Sequence, residues 1–175
     1  ISRYDDEESN YKVALAWNSN LPKIANKVSS PNEKIRLGYL CGEFRNHPTN
    51  HLIKNLFRFH DTSKFEIYIF SYNHDEASRI SIENEVTEFV SLNDMDNINA
   101  SKSIADHNLD ILIDLTIIIS NNRQDIIRDR PAKTIISYLG YPGTSGSNIY
   151  DYIITDEIVT PIVQQKYYTE KFLYL

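Results

Sequence analysis

The stretch KFEIYIFSY at 64–72 carries apolar residues on both faces of an extended chain. Comparable runs at 33–40, 109–116 and 133–139 are separated from one another by helix-length segments. A strand that is apolar on both faces cannot leave one side in water. Parallel strands also need a crossover of a dozen or more residues, which a helix usually supplies. The pattern therefore predicts an α/β fold with a doubly wound, mostly parallel sheet covered on both faces. In such sheets ligands bind beyond the carboxyl ends of the strands.

The remaining segments fit this scheme. A short helix is expected around Val13–Trp17, broken before Pro22, and further helices over 47–60, 76–86, 97–108, 121–130 and, more weakly, 161–168. Shorter strands are expected at 88–92 and 150–156 and over the last residues, KFLYL. Residues 1–33 read as a polar lead, a short helix and a linker, and 34–175 as the α/β unit. The acidic block DDEES at 5–9 reads as a solvated tail. The chain opens on Ile1 and stops on an apolar run, so a piece of something longer is expected.

Charge narrows the function. The 24 acidic against 18 basic residues leave a net charge of −6, with no Lys/Arg cluster of the kind a nucleic acid or anionic membrane attracts. Cys41 is the single cysteine, which excludes an internal disulfide and suits a reducing, cytoplasmic setting. No apolar run reaches the ~20 residues of a membrane span, and no secretory signal is visible.

Two loops could carry chemistry. CGEFRNHP, at 41–48, follows a strand and places Pro48 in the first turn of the next helix, with His47 at that helix's amino end. The helix dipole there disfavours a positive imidazole, and a neutral one can accept a proton or a hydrogen bond. Simple capping is the competing role for His47. The second loop, GYPGTSG at 140–146, spends three of five glycines in seven positions, as a tight turn or a binding loop would. It follows a strand of the same sheet and so projects toward the same edge. His51 reads as solvent-facing or packed, and His60, His74 and His107, at segment ends, as surface residues. Asp114 could reach the cleft, although capping is its expected role, as for Asp110.

Taken together, KIRLGYLCGEFRNHPTNHLI (34–53), RPAKTIISYLGYPGTSG (130–146) and DYIITDEIVTP (151–161) resemble the O-linked N-acetylglucosamine transferases, including their SPINDLY-like members. The similarity covers about residues 34–175, the amino-terminal lobe of the catalytic region. It implies one Rossmann-like lobe of a GT-B glycosyltransferase, with the second lobe absent and tetratricopeptide repeats upstream. The implied reaction moves a sugar from a nucleotide donor to Ser or Thr of acceptor proteins. The donor is UDP-N-acetylglucosamine in most members and GDP-fucose in some, and no metal or other cofactor is implied. The resemblance makes His47 the catalytic histidine and Leu139, Gly140, Tyr141, Pro142, Gly143 and Thr144 substrate-binding. Two positions depart from the family pattern, and it places both on the cleft side. Glu88 stands where many relatives have histidine, and residues 116–120 lack the glycine and most of the polar residues. A degenerate, non-catalytic or protein-binding remnant is the alternative reading.

Overall fold

The computed structural model describes residues 6–18, 31–117 and 122–175. Seven strands form one sheet: β1 (Ile35–Cys41), β2 (Phe65–Ser71), β3 (Glu88–Ser91), β4 (Ile111–Asp114), β5 (Thr134–Tyr138), β6 (Tyr152–Thr155) and β7 (Lys171–Tyr174). Their order is β3-β2-β1-β4-β5-β6-β7, and every neighbouring pair is parallel. The chain runs outward from β1 to β3, then returns to place β4 on the other side of β1. Loops after β1 and β4 therefore diverge, leaving a crevice at the carboxyl edge between them.

Each face of the sheet has its own core. Leu40, Phe70, Leu112 and Ile135 pack with Ala100 and Ile104 of α4 (Asn97–Asp106) and with Ile126 and Ile127. Leu37, Tyr39, Ile69, Ile113 and Ile136 pack on the opposite face with Ile53 of α2 (Pro48–Ile53), Phe57, and Ile82 of α3 (Glu76–Glu83). Phe70 and Ile69 are neighbours in sequence, point to opposite faces, and are each 0 % exposed. Burying one such side chain contributes roughly 1.5–3 kcal/mol. Asp75 and Asp96 cap α3 and α4, accepting from Ser78 N (2.7 Å) and Asn99 N (2.8 Å).

Several elements differ from expectation. The first helix, α1, runs Glu7–Asn18, and Asp6 opens it by accepting from Glu8 N and Ser9 Oγ. From Asp6 onward, then, the acidic block is a helix start, where negative charge is favourable, and not a tail. Its first residue, Asp5, and the linker at 19–30 lie outside the described residues. The helix expected over 47–60 ends at Ile53, followed by a 3-10 turn at Phe57–Phe59. The helices expected over 121–130 and 161–168 are 3-10 turns, Gln124–Ile127 and Ile162–Tyr167. The first lies between β4 and β5, closed by Pro131, and the second between β6 and β7.

His60 and His74 are also more involved than surface residues. His60 Nε2 lies 2.9 Å from the Tyr39 hydroxyl and its ring packs on Phe65. His74 packs edge-on to Phe89. Burial holds both imidazoles below their usual pKa. The unfolded chain takes up these protons near pH 6.5, while the folded chain resists until lower pH. Stability is therefore full above about pH 6.5 and falls as pH drops through the depressed folded values. Urea unfolding between pH 7.5 and 5.5 is expected to show this loss, with a shallower slope in His60→Gln. An unchanged slope in that variant would remove His60 from the account.

Candidate functional site

β1 delivers the loop 41–47 to the carboxyl edge. There His47 has the extended backbone of an N-cap (φ −144°, ψ 146°), with Pro48 beginning the helix behind it. Its Nδ1 accepts the Thr49 N–H at 3.2 Å. That bond settles the chemistry of the ring. With the Nδ1 lone pair engaged, a neutral imidazole carries its proton on Nε2, which then donates. His47 is therefore a cap and, on its other side, a hydrogen-bond donor. In this arrangement it does not offer a free lone pair for taking a proton. Arg45, two residues earlier, is ion-paired at 2.7 Å with Glu43, a residue 7 % exposed.

β5 delivers the glycine loop to the same edge. The Gly140 N–H donates to the Tyr138 carbonyl at 2.9 Å, closing a three-residue turn around Leu139, whose φ is +71°. This is a γ-turn of the rare, strained hand, and backbone strain of this kind concentrates at sites that need fixed geometry. Gly140 follows because a Cβ there would lie 2.3 Å from the Leu115 carbonyl oxygen. Tyr141 is half-buried and Pro142 exposed, and Gly143 is buried beside them. Tyr141, Pro142 and Gly143 line a cavity of about 190 Å³ with Glu7, Asn10 and Tyr168. Burial, with the nearby Glu7 carboxylate second, pushes the Tyr141 phenol up to about 12.

Thr144 is the last of the residues expected to bind substrate. Its side chain is 0 % exposed and its hydroxyl donates to Glu170 at 2.7 Å, so it belongs to the anchor of the loop. Ser145 is equally buried and also bonds Glu170. Gly146, with φ +64°, lets the chain turn against Ala14 and Leu15 of α1, whose Asn18 side chain donates to the Ser145 carbonyl at 2.6 Å. The glycine cluster is thus a turn and a packing contact as well as a loop at the ligand edge.

Between these loops stands the end of β4. Asp114, 2 % exposed, accepts from Thr116 N (2.9 Å), Thr116 Oγ1 (2.8 Å) and Ile117 N (3.4 Å) on one oxygen. Its other oxygen accepts from the Tyr150 hydroxyl at 2.6 Å. Asp114 caps the strand end, as expected, and does not reach an open cleft. Tyr72 donates to Thr116 Oγ1 at 2.9 Å, and Leu115 N donates to the Leu40 carbonyl at 3.0 Å. The ends of β1, β2 and β4 are therefore locked together. His47 and residues 139–143 stand one strand apart, on strands roughly 10 Å apart at two inter-strand spacings. Of the divergent turn at 116–120, residues 118–120 lie outside the described residues.

Glu88 is the other departure, and its placement differs from expectation. It opens β3, and its carboxylate lies 3.3 Å from Nε2 of His107, the C-cap of α4. That cap precedes β4, so Glu88 turns toward the amino edge, away from His47. Sequence reasoning did not find Glu170, Tyr150 or Tyr72. Each acts across 25 residues or more, and no local spacing marks them. Among the described residues no group of three His, Cys, Asp or Glu is placed to hold a metal, and no helix is long and apolar enough to cross a membrane.

Residues 12–175 match the sequence model of glycosyl transferase family 41. A Caenorhabditis elegans UDP-N-acetylglucosamine--peptide N-acetylglucosaminyltransferase is 36% identical over 169 residues, covering 94% of this chain and 15% of its own length. An Arabidopsis thaliana protein, the probable UDP-N-acetylglucosamine--peptide N-acetylglucosaminyltransferase SEC, is 33% identical over 145 residues, with coverages of 82% and 15%. The chain thus spans about 15% of the length of these curated relatives. The solved structure of a Thermobaculum terrenum O-GlcNAc transferase mutant has the same fold. It superposes with a TM-score of 0.89 at 24% identity, over 100% of this chain and 35% of that one. The lobe is Rossmann-like, one half of a GT-B architecture. With the family match running through both loops of the carboxyl edge, the chain belongs to glycosyl transferase family 41.

Proposed function

We propose that this chain is the amino-terminal lobe of the catalytic region of a protein O-glycosyltransferase. The enzyme moves N-acetylglucosamine from UDP-N-acetylglucosamine to Ser or Thr hydroxyls of acceptor proteins. The activities for which the relatives are named support the donor and the peptide acceptor. The observation that carries the reading is the pair of loops at one sheet edge, a strained turn at Leu139 and a capped His47, on either side of the β4 end. In the transfer, the bond from the sugar's C1 to the diphosphate breaks and a bond to the acceptor oxygen forms. The acceptor's proton passes to water, and the departing diphosphate gains the negative charge. The Nε2–H of His47 suits an oxygen of the donor or acceptor as negative charge develops there. The half-open backbone of 139–142 suits close approach of a sugar. A second lobe and upstream repeats are the partners this reading adds, and no metal takes part in it.

The decisive assay uses the full-length protein with UDP-N-acetylglucosamine and a serine-containing peptide. Mass spectrometry is expected to find one N-acetylhexosamine on the peptide. A protein-binding, non-catalytic member is the second reading, favoured by Ile117, which is 1 % exposed with φ +32° directly after β4. Peptide binding without transfer or donor hydrolysis would select it. The 175-residue chain alone is expected to bind UDP weakly. Arg45 is engaged by Glu43, and Arg123 by the Leu92 and Met95 carbonyls (3.1 and 2.6 Å), so neither is free to clamp a diphosphate. Micromolar saturation in a calorimetric titration would contradict this.

A further inference from the structure

One buried acid organises the anchor of the glycine loop. Glu170 is 1 % exposed and immediately precedes β7. Its Oε2 accepts from the Thr144 hydroxyl (2.7 Å) and the Thr169 hydroxyl (3.1 Å). Its Oε1 accepts from the Ser145 N–H (2.8 Å) and the Ser145 hydroxyl. All four partners are neutral donors, so the carboxylate is satisfied by hydrogen bonds and not by a cation. Bonds to an ionised acceptor are roughly twice as strong as neutral ones.

The direction of these bonds matters as much as their number. A hydroxyl has one proton to give and lone pairs to receive. Thr144 gives its proton to Glu170, and its oxygen then accepts from Gly146 N (3.1 Å) and Thr169 N (3.2 Å). Ser145 does the same, accepting from Ser147 N at 3.2 Å. The carboxylate thus orients two hydroxyls, and these fix the backbone at 146, 147 and 169. Residues 139–143 begin directly upstream of this clamp and carry the strained turn at Leu139.

We propose that Glu170 is a positioning residue for the substrate-facing backbone of 139–143, setting its geometry through the hydroxyls of Thr144 and Ser145. The inference rests on the reading of that loop as part of the transfer site. A glutamine at 170 keeps the size but loses one acceptor oxygen and presents an N–H₂ to hydroxyls that must now reverse. The clamp loosens while the rest of the sheet has no reason to change.

The test compares full-length parent, Glu170→Gln, Ser145→Ala and Ile82→Ala at a temperature where circular dichroism shows all four folded. Ile82 is 1 % exposed under α3 and serves as a destabilised control far from the loop. Glu170→Gln is expected to raise KM for UDP-N-acetylglucosamine about tenfold over the control, the size expected when one to two hydrogen bonds' worth of order is lost. Amide exchange at 140–143 should quicken in Glu170→Gln and not in Ile82→Ala. Ser145→Ala, which removes one of the four donors, should shift both readouts the same way and stands in if Glu170→Gln does not fold. KM and loop exchange matching Ile82→Ala would overturn the positioning role. Gly140→Val, run alongside, separates the two failures. Transfer at the parent rate in that variant would sink the loop reading itself, and the positioning role with it. Loss of transfer there, with Glu170→Gln behaving as the control, would sink this inference alone.

Discussion

Gly140→Val is expected to destabilise the protein by about 3 kcal/mol, the upper part of the usual range for overpacking, and to abolish sugar transfer by the full-length enzyme. For a chain of this size the stability loss corresponds to roughly 10 °C in melting temperature. The magnitude comes from what a Cβ would meet. Its nearest atoms are the Leu115 carbonyl oxygen at 2.3 Å, the Leu115 carbonyl carbon at 3.1 Å and Thr116 Cα at 3.2 Å, all backbone. No side chain can swing aside to relieve the overlap. The end of β4 is itself tied to β1 through Leu115 N to the Leu40 carbonyl and closed by Asp114 on Thr116. Either that end moves or the γ-turn at Leu139 opens, and both displace the substrate-facing edge. Gly143 offers a contrast, since the three atoms nearest to a Cβ there all belong to the Tyr141 side chain, the closest at 2.4 Å. Gly143→Ala is expected to keep most of the stability while shifting Tyr141. Calorimetric melting and transfer rates measured side by side for both variants check the pair. A Gly140→Val protein that melts with the parent would show that the close approach is not required.

The sheet was legible because its strands are apolar on both faces, a property a parallel arrangement demands and composition cannot hide. Isoleucines at 67, 69, 113, 135 and 136 announce buried strands wherever they stand. The crossovers were less legible. The residues at 124–127 and 162–167 have the spacing of helices, yet no side chain caps either turn, whereas His47, Asp75 and Asp96 cap α2, α3 and α4. At the site, Pro48 marked the helix start and so placed His47 correctly. The glycines marked the loop but not the reason for each. Thr144 entered as a substrate-binding residue through the family resemblance, and nothing local announced its partner Glu170, which lies 26 residues away. Asp114 read well, since an acid at the end of an apolar strand has few fates other than capping. The partner that completes it, Tyr150, is 36 residues distant and left no local trace.

The two duties of His47 can be separated by choosing which nitrogen to keep. Nδ1 caps α2 through the Thr49 N–H at 3.2 Å, and Nε2 is left as the donor at the carboxyl edge. His47→Ala removes both. It is expected to cost about 1 kcal/mol of stability, the usual loss for a cap. In the full-length enzyme it should lower turnover by about 10²–10³-fold, the range for losing one donor aimed at developing charge. His47→Asn keeps a side-chain oxygen near the Nδ1 position and asparagine is among the best N-caps, so stability should return to near the parent value. Asparagine does not place a donor where Nε2 stood, so turnover should stay low. Rate and melting temperature therefore move together in one variant and apart in the other. Parent-like transfer by His47→Asn would show that the histidine is a helix cap and nothing more. Low turnover in both variants, with stability restored only by asparagine, would assign the chemistry to Nε2.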